Sequence, residues 1–216
     1  MGRLRNASRI WANAPELATT RVMVACDGPY FTVDPLQLFA NRAPLEVEIG
    51  AGRGDFLIER AAQSPSRNFL AIESVATFAQ LIAMRAGRWQ LANLRVIRMD
   101  ARPLVNLMLP RASVDAYHIY FPDPWPKERQ AKHRLFTPQF TAGLARTLKP
   151  EAPLFVATDV AAYANEIFAM LLDGGFRPIE MPAPGAALTG FARKFQAEGR
   201  PIHGGAFNVA PAPASP

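Results

Sequence analysis

The chain has 216 residues, of which 50% are hydrophobic and 19% charged, and its 24 Lys and Arg exceed its 18 Asp and Glu to give a net charge of +6. This balance suits one folded domain with short extensions, excludes an intrinsically disordered chain, and favours a polyanionic partner, of which nucleic acid is the commonest. The single cysteine, Cys26, excludes an internal disulfide, and no apolar run approaches the roughly 20 residues of a membrane span. The basic residues 1–6 are followed by no apolar segment of the kind a secretory signal needs. A cytoplasmic protein with no membrane partner is expected.

Residues 1–43 mix Arg, Pro and aromatics (Trp11, Tyr30, Phe31, Phe39) without clear periodicity and read as an arm that partly packs on the domain. The domain spans 44–209. Residues 45–49 form a short apolar-rich run that stops at glycines, as a strand does. Phe56, Leu57, Ala61 and Ala62 recur at helical spacing within 53–63. A second strand at 69–72 precedes a helix over 75–91, with Phe78, Leu81, Ile82 and Trp89 on one side. Strands follow at 94–97 and 114–121, then a helix near 138–148, a strand at 154–157 and a helix over 160–173 ended by Gly174-Gly175. Residues 176–181 and 206–209 are the last candidate strands. Residues 210–216, Ala-Pro-Ala-Pro-Ala-Ser-Pro in effect from the end of the last strand, read as a disordered tail. Alternation of this kind predicts an α/β fold: a doubly wound, mostly parallel sheet with helices on both faces.

Ile49-Gly50-Ala51-Gly52-Arg53-Gly54 joins the first strand to the first helix. Glycines there permit a tight turn and let a ligand approach the backbone. The third glycine comes one residue earlier than in the dinucleotide fingerprint, and Glu48 precedes the loop. A carboxylate would repel a pyrophosphate but would favour a sulfonium and an amine. Glu73 ends the second strand, where an acid bonds ribose hydroxyls in such sheets. Asp100 follows the third strand, where an adenine amino group could be met. Each acid alone fits a helix cap or a surface charge. Together they point to a class I S-adenosylmethionine-dependent methyltransferase with a Rossmann-like fold, and away from a nicotinamide dehydrogenase.

Tyr120-Phe121-Pro122-Asp123-Pro124-Trp125-Pro126-Lys127 closes the fourth strand. Three prolines stiffen a turn that places Asp123 where a methyl acceptor would meet the cofactor; a rigid structural turn with a capping Asp is the bland alternative. The next stretch carries Lys127, Arg129, Lys132 and Arg134 within eight residues, which suits phosphate contact or a solvated helix start. His118, His133 and His203 lack ligand spacing, so no metal is expected, and His118 reads as a core residue.

These words carry a resemblance. Glu48-Ile49-Gly50-Ala51-Gly52-Arg53-Gly54, Ala71-Ile72-Glu73, Asn93-Leu94-Arg95-Val96, Asp100-Ala101, Phe121-Pro122-Asp123-Pro124-Trp125, Lys127, Lys132-His133-Arg134-Leu135, Leu148-Lys149-Pro150 and Ala157-Thr158-Asp159 resemble the bacterial tRNA guanine-N7 methyltransferase family over roughly residues 30–208. The resemblance implies that Glu48, Glu73, Asp100 and Asp123 contact S-adenosylmethionine beside the loop of Gly50, Gly52 and Gly54. It implies that Asp123 is also catalytic, and that Lys127 and Asp159 contact the RNA. The reaction implied is methyl transfer to N7 of a guanine in the tRNA variable loop.

The match departs near the end. Where the family carries Thr-x-Phe/Tyr-Glu and then Arg-Gly in a substrate-facing loop, this chain has Arg193-Lys194-Phe195-Gln196-Ala197-Glu198-Gly199. Gln196 can still bond a base, and Arg193 can pair a phosphate or the cofactor carboxylate; Thr189, four residues earlier, allows a shifted loop. The departures keep open another RNA base, a small-molecule acceptor, or a non-catalytic RNA-binding relative. No DNA partner is expected, and both a monomer and a homodimer stay open.

Overall fold

The computed structural model describes residues 22–25, 32–180 and 189–209. Residues 1–21 and 26–31 of the arm, Trp11, Cys26, Tyr30 and Phe31 among them, the end of the strand expected at 176–181, and the tail 210–216 lie outside the described residues.

In chain order the elements are β1 (Met23–Val24), α1 (Pro35–Phe39), β2 (Leu45–Ile49), α2 (Asp55–Gln63), β3 (Asn68–Ile72), α3 (Ala76–Arg88), β4 (Leu94–Ile97) and α4 (Ala101–Pro103). Then come β5 (Ala116–Tyr120), a 3₁₀ segment (Glu128–His133), α5 (Pro138–Thr147), β6 (Leu154–Thr158), α6 (Ala161–Asp173), β7 (Phe176–Ile179), α7 (Gly190–Ala197) and β8 (His203–Val209). The eight strands form one sheet in the order β1-β4-β3-β2-β5-β6-β8-β7. Pairs from β1 to β6 are parallel; β8 runs antiparallel to both β6 and β7. The expected doubly wound fold is therefore present, and part of the arm joins it: β1 extends the edge at β4, and Val33 and Phe39 enter the core.

Local chemistry explains the boundaries. Asp34 caps α1, its carboxylate accepting from Leu36 N–H at 2.9 Å ahead of Pro35 in the first turn. Thr137 caps α5 in the same way, accepting from Phe140 N–H at 3.1 Å. Gly175 ends α6 with a φ of 84°, a conformation that glycine adopts without penalty. Every residue of β2, β3, β5 and β6 is buried, as strands covered on both faces must be. Val47, Ile49, Leu70 and Val156 pack with Phe140, Leu144 and Ile167 on one face; Phe69, Ala71 and Val96 pack with Phe56, Leu57 and Ile82 on the other.

Two expectations need correction. The inward stripe of α3 is Ala79, Ile82, Ala83 and Ala86, whereas Phe78 is 39% and Trp89 59% exposed. Small side chains let this helix lie close to the sheet, so size is a poor guide to its buried face. The stretch 193–200, expected as a loop, is largely helix α7. Thr189 caps it by accepting from Ala192 N–H at 2.9 Å, and Ala192 and Phe195 face inward one helical turn apart.

His118 is a core residue, as expected, and it belongs to a buried ionic cluster. Glu46, 1% exposed, accepts from Arg60 Nε at 2.6 Å and Nη2 at 2.9 Å. His118 Nε2 stands 3.0 Å from Glu46 Oε2, and its Nδ1 stands 3.0 Å from the Tyr120 hydroxyl. Burial pushes His118 down, so the ring is neutral; a carboxylate only accepts, so Nε2 donates to it and Nδ1 accepts from Tyr120. Burial by itself raises Glu46, but the bonds from His118 and Arg60 outweigh it and hold the carboxyl at about 2.

Both groups hold protons less tightly folded than unfolded, so the unfolded chain takes up protons as pH falls. The stability this cluster contributes is complete above about pH 6.5, declines below it as His118 titrates in the unfolded chain, and declines further as Glu46 passes from 4.5 towards 2. Urea denaturation across this range should show that decline. Glu46→Gln should lose about 3 kcal/mol at neutral pH, the scale for breaking a buried pair, and show a shallower acid slope. Wild-type stability in that variant would mean that the cluster contributes nothing.

Candidate functional site

The sheet reverses its winding between β2 and β5: β3 and β4 lie to one side of β2, and β5 and β6 to the other. Chains leaving the carboxyl ends of such neighbours diverge and leave a crevice. Here the crevice is a cavity of about 510 Å³ lined by Glu48, Gly50, Gly52, Tyr120, Phe121 and, from the far side, Thr189, Gly190, Arg193 and Lys194. Ala51, Arg53, Asp55 and Phe56 complete its lining.

The loop that forms one wall is held from behind. Glu73, 5% exposed, accepts from Gly52 N–H at 2.8 Å and from Val75 N–H at 2.8 Å. Gly54 starts α2 with a φ of 71°, and a Cβ there would stand 2.8 Å from Ile82 Cγ1. Its missing side chain lets α2 and α3 approach, so Gly54 shapes the loop without lining the cavity. Arg85 fastens the start of α2 through Asp55 at 2.7 Å.

Glu48 is the unusual group. It is 4% exposed, and its Oε2 is buried with no hydrogen-bond partner. Burial, then Asp55, then Glu73 push its carboxyl well above the usual range. A buried acid without a cation, facing a cavity rimmed by glycine backbone, fits a ligand that brings its own positive charge. Arg193, also in the cavity wall, approaches Asp55 at 3.8 Å. The lining thus carries both acidic and basic groups, a composition suited to a zwitterionic end of a small molecule.

The remaining expected residues are spread more widely. Asp123 is exposed at the tip of the turn after β5 and makes no hydrogen bond to another described residue. Asp100 does not line the cavity: it caps α4, accepting from Arg102 N–H at 2.9 Å, and its bonds with the Arg102 side chain hold its carboxyl below the usual range. Asp159 pairs with Arg200, which also lies 4.2 Å above the Phe195 ring. Lys127 and Gln196 are exposed. Sequence reasoning missed Tyr120 and Asp55 as cavity groups. It also missed that the start of α7 lines the cavity, for which the cap at Thr189 was the available signal. Among the described residues, no three His, Cys, Asp or Glu side chains gather as a metal ion would need, and no helix is long and apolar enough to cross a membrane.

Glu48 binds its proton more tightly folded than unfolded, so ligand-free protein should lose stability as pH rises from about 4.5 through the raised folded value. Glu48→Gln should remove that loss and raise the melting temperature of the ligand-free protein at neutral pH, while weakening cofactor binding. A melting temperature unchanged or lowered in this variant would show that Glu48 carries no electrostatic penalty.

A family model described as "Putative methyltransferase" matches residues 42–203. A tRNA (guanine-N(7)-)-methyltransferase of Syntrophotalea carbinolica is 36% identical over 198 residues, 85% of this chain and 85% of its own length. One from Geobacter metallireducens is 33% identical over 197 residues, 84% of this chain and 93% of its own length. Among solved structures, a SAM-dependent methyltransferase from Aquifex aeolicus superposes with a TM-score of 0.55 at 15% identity, covering 93% of this chain and 97% of that one. The 16S rRNA methyltransferase KamB gives 0.59 at 17% identity, covering 81% and 92%. The two structures share the class I methyltransferase fold with this chain, and the sequence relatives place it more narrowly: the chain belongs to the tRNA (guanine-N(7)-)-methyltransferase family.

Proposed function

We propose that the chain transfers a methyl group from S-adenosylmethionine to N7 of a guanine in the variable loop of tRNA, in the cytoplasm. The observation that carries this reading is the meeting of two features at the switch point. One is a glycine-walled cavity with an unpaired buried carboxylate, Glu48. The other is the proline-stiffened turn that carries Asp123 and begins at Phe121, a residue of the cavity wall. The sequence relatives named for this activity supply the substrate.

The residues present fit the cofactor. Glu48 would face its cationic end, and Gly50 and Gly52 would let it lie against the backbone while Gly54 keeps the loop compact. Glu73 spends one lone pair of each oxygen on the loop amides and keeps others for ribose hydroxyls. Asp100 would meet the adenine amino group with the lone pairs that Arg102 leaves. Arg193 would pair either the cofactor carboxylate or a phosphate. S-adenosylmethionine supplies, when bound, an electrophilic methyl group on a sulfonium.

Guanine N7 carries a free lone pair in the neutral base, so no proton has to leave before attack and no general base is needed. Methylation makes the purine cationic. Asp123 accepts the guanine N1–H and N2–H, which orients the base, and its negative charge favours the cation that develops. Holding donor and acceptor in line contributes much of the rest. Lys127, exposed next to this turn, contacts phosphate or ribose; Asp159 and Gln196, on the rim formed by β6 and α7, contact the nucleotide. The RNA is recognised by shape and by a splayed base rather than by a helical reading motif.

The direct test is methyl transfer from labelled S-adenosylmethionine to unmodified bulk tRNA, with the nucleosides separated. Label in 7-methylguanosine supports the reading; label in another nucleoside overturns its specificity. In the same assay Asp123→Asn should lower kcat by about 100-fold, with tRNA and cofactor affinities within a few-fold of wild type. Near wild-type turnover would remove Asp123 from the chemistry.

A further inference from the structure

The turn carrying Asp123 is strained at both ends. Phe121 has a φ of 54° and Trp125 a φ of 41°, left-handed conformations that bulky aromatic residues rarely adopt. Such residues are costly and persist only where surrounding structure enforces them. The turn cannot enforce them alone, because prolines at 122, 124 and 126 remove three N–H donors.

Each end has an outside hold. At Phe121, the backbone N–H donates to Ala157 O at 2.7 Å, and the ring packs edge-on against Phe195 with centroids 5.3 Å apart. At Trp125, the 3₁₀ segment folds the chain back so that His133 lies 5.2 Å from the indole and Arg134 reaches the turn's carbonyls. Arg134 Nε donates to Pro124 O at 3.1 Å, and Nη2 to Trp125 O at 3.4 Å. Its third nitrogen, Nη1, donates to Glu166 Oε2 on α6 at 2.5 Å. The guanidinium lies 5.7 Å above the ring of Tyr163. Burial pushes the Tyr163 hydroxyl up to about 12, so the cation meets a neutral aromatic face.

We infer that Arg134 is a positioning residue: its guanidinium, anchored on α6 by Glu166 and Tyr163, holds the 121–125 turn in the strained shape that presents Asp123. The inference rests on the role proposed above for Asp123. It removes Arg134 from the basic run read as phosphate-binding, leaving Lys127, Arg129 and Lys132, all exposed, to face RNA. One planar fork serves two adjacent carbonyls and a carboxylate together, a geometry that a lysine ammonium cannot reproduce.

The test compares wild type with Arg134→Ala, Arg134→Lys and Asp123→Asn, measuring kcat, KM for tRNA, S-adenosylmethionine affinity, and the salt dependence of tRNA binding. Arg134→Ala should lower kcat by about 100-fold, the scale for a misplaced reacting group, with KM, cofactor affinity and salt slope unchanged. Arg134→Lys should not restore kcat. If Arg134→Ala instead keeps kcat, weakens tRNA binding and flattens the log–log salt slope by about 0.7–0.9, Arg134 is a phosphate contact and the inference fails. If Arg134→Ala does not fold, Glu166→Ala carries the same test, since it frees the guanidinium from α6 without removing it: kcat falls at constant KM, or the inference is wrong. Full turnover in Asp123→Asn would instead sink the underlying reading of Asp123, whatever Arg134 does.

Discussion

The constraint on which the molecule depends is the parallel pairing of β2 with β5. These strands are neighbours in the sheet but 66 residues separate the end of one from the start of the other, and β3 and β4, which lie between them in the chain, are wound to one side. The pairing places the glycine loop and the proline turn, two segments remote in the chain, at the same end of adjacent strands. Register makes the placement definite: Glu48 lies opposite His118 and Ile49 opposite Ile119, so the two chains leave the sheet one step apart. Every residue of both strands is buried, and a slip by one residue would turn each side chain to the wrong face.

Two glutamates on β2 show how one strand serves both architecture and site. Glu46 and Glu48 are two residues apart and point to the same face of the sheet. Glu46 lies towards the start of the strand and is surrounded by Arg60, Arg67 and His118. Glu48 lies at its end and has Asp55 and Glu73 for electrostatic neighbours. The first charge is satisfied within the protein and ties β2, β5 and α2 together. The second has no hydrogen-bond partner at its Oε2 among the described residues. Identical chemistry at the same depth is thus divided by neighbours that come from other elements.

Much of this was legible in the sequence. The alternation of short apolar runs with helical stripes gave the sheet, because strands covered on both faces and helices covered on one have different periods. Glycine spacing with Glu48 gave the first wall of the cavity, and the start of the proline turn at Phe121 part of the second. What was hidden depends on pairings that spacing does not encode. Nothing local distinguishes Arg134 from Lys132, yet the former turns inward to Pro124 and Glu166. Asp100 accepts from Arg102, a local pairing that a ligand would have to share. Helix α7 was masked because a two-sided pattern over eight residues is short, and because its buried side is only Ala192 and Phe195 among the described side chains.

The unpaired carboxylate of Glu48 has a bearing on how long the protein lasts. A ligand that neutralises it binds the folded chain and not the unfolded one, and so lowers the fraction unfolded in proportion to the ligand's free concentration over its dissociation constant. Proteolysis drawn from the unfolded pool slows to the same degree. On the cofactor role proposed for Glu48, the protein's lifetime should therefore lengthen as the supply of methyl donor rises.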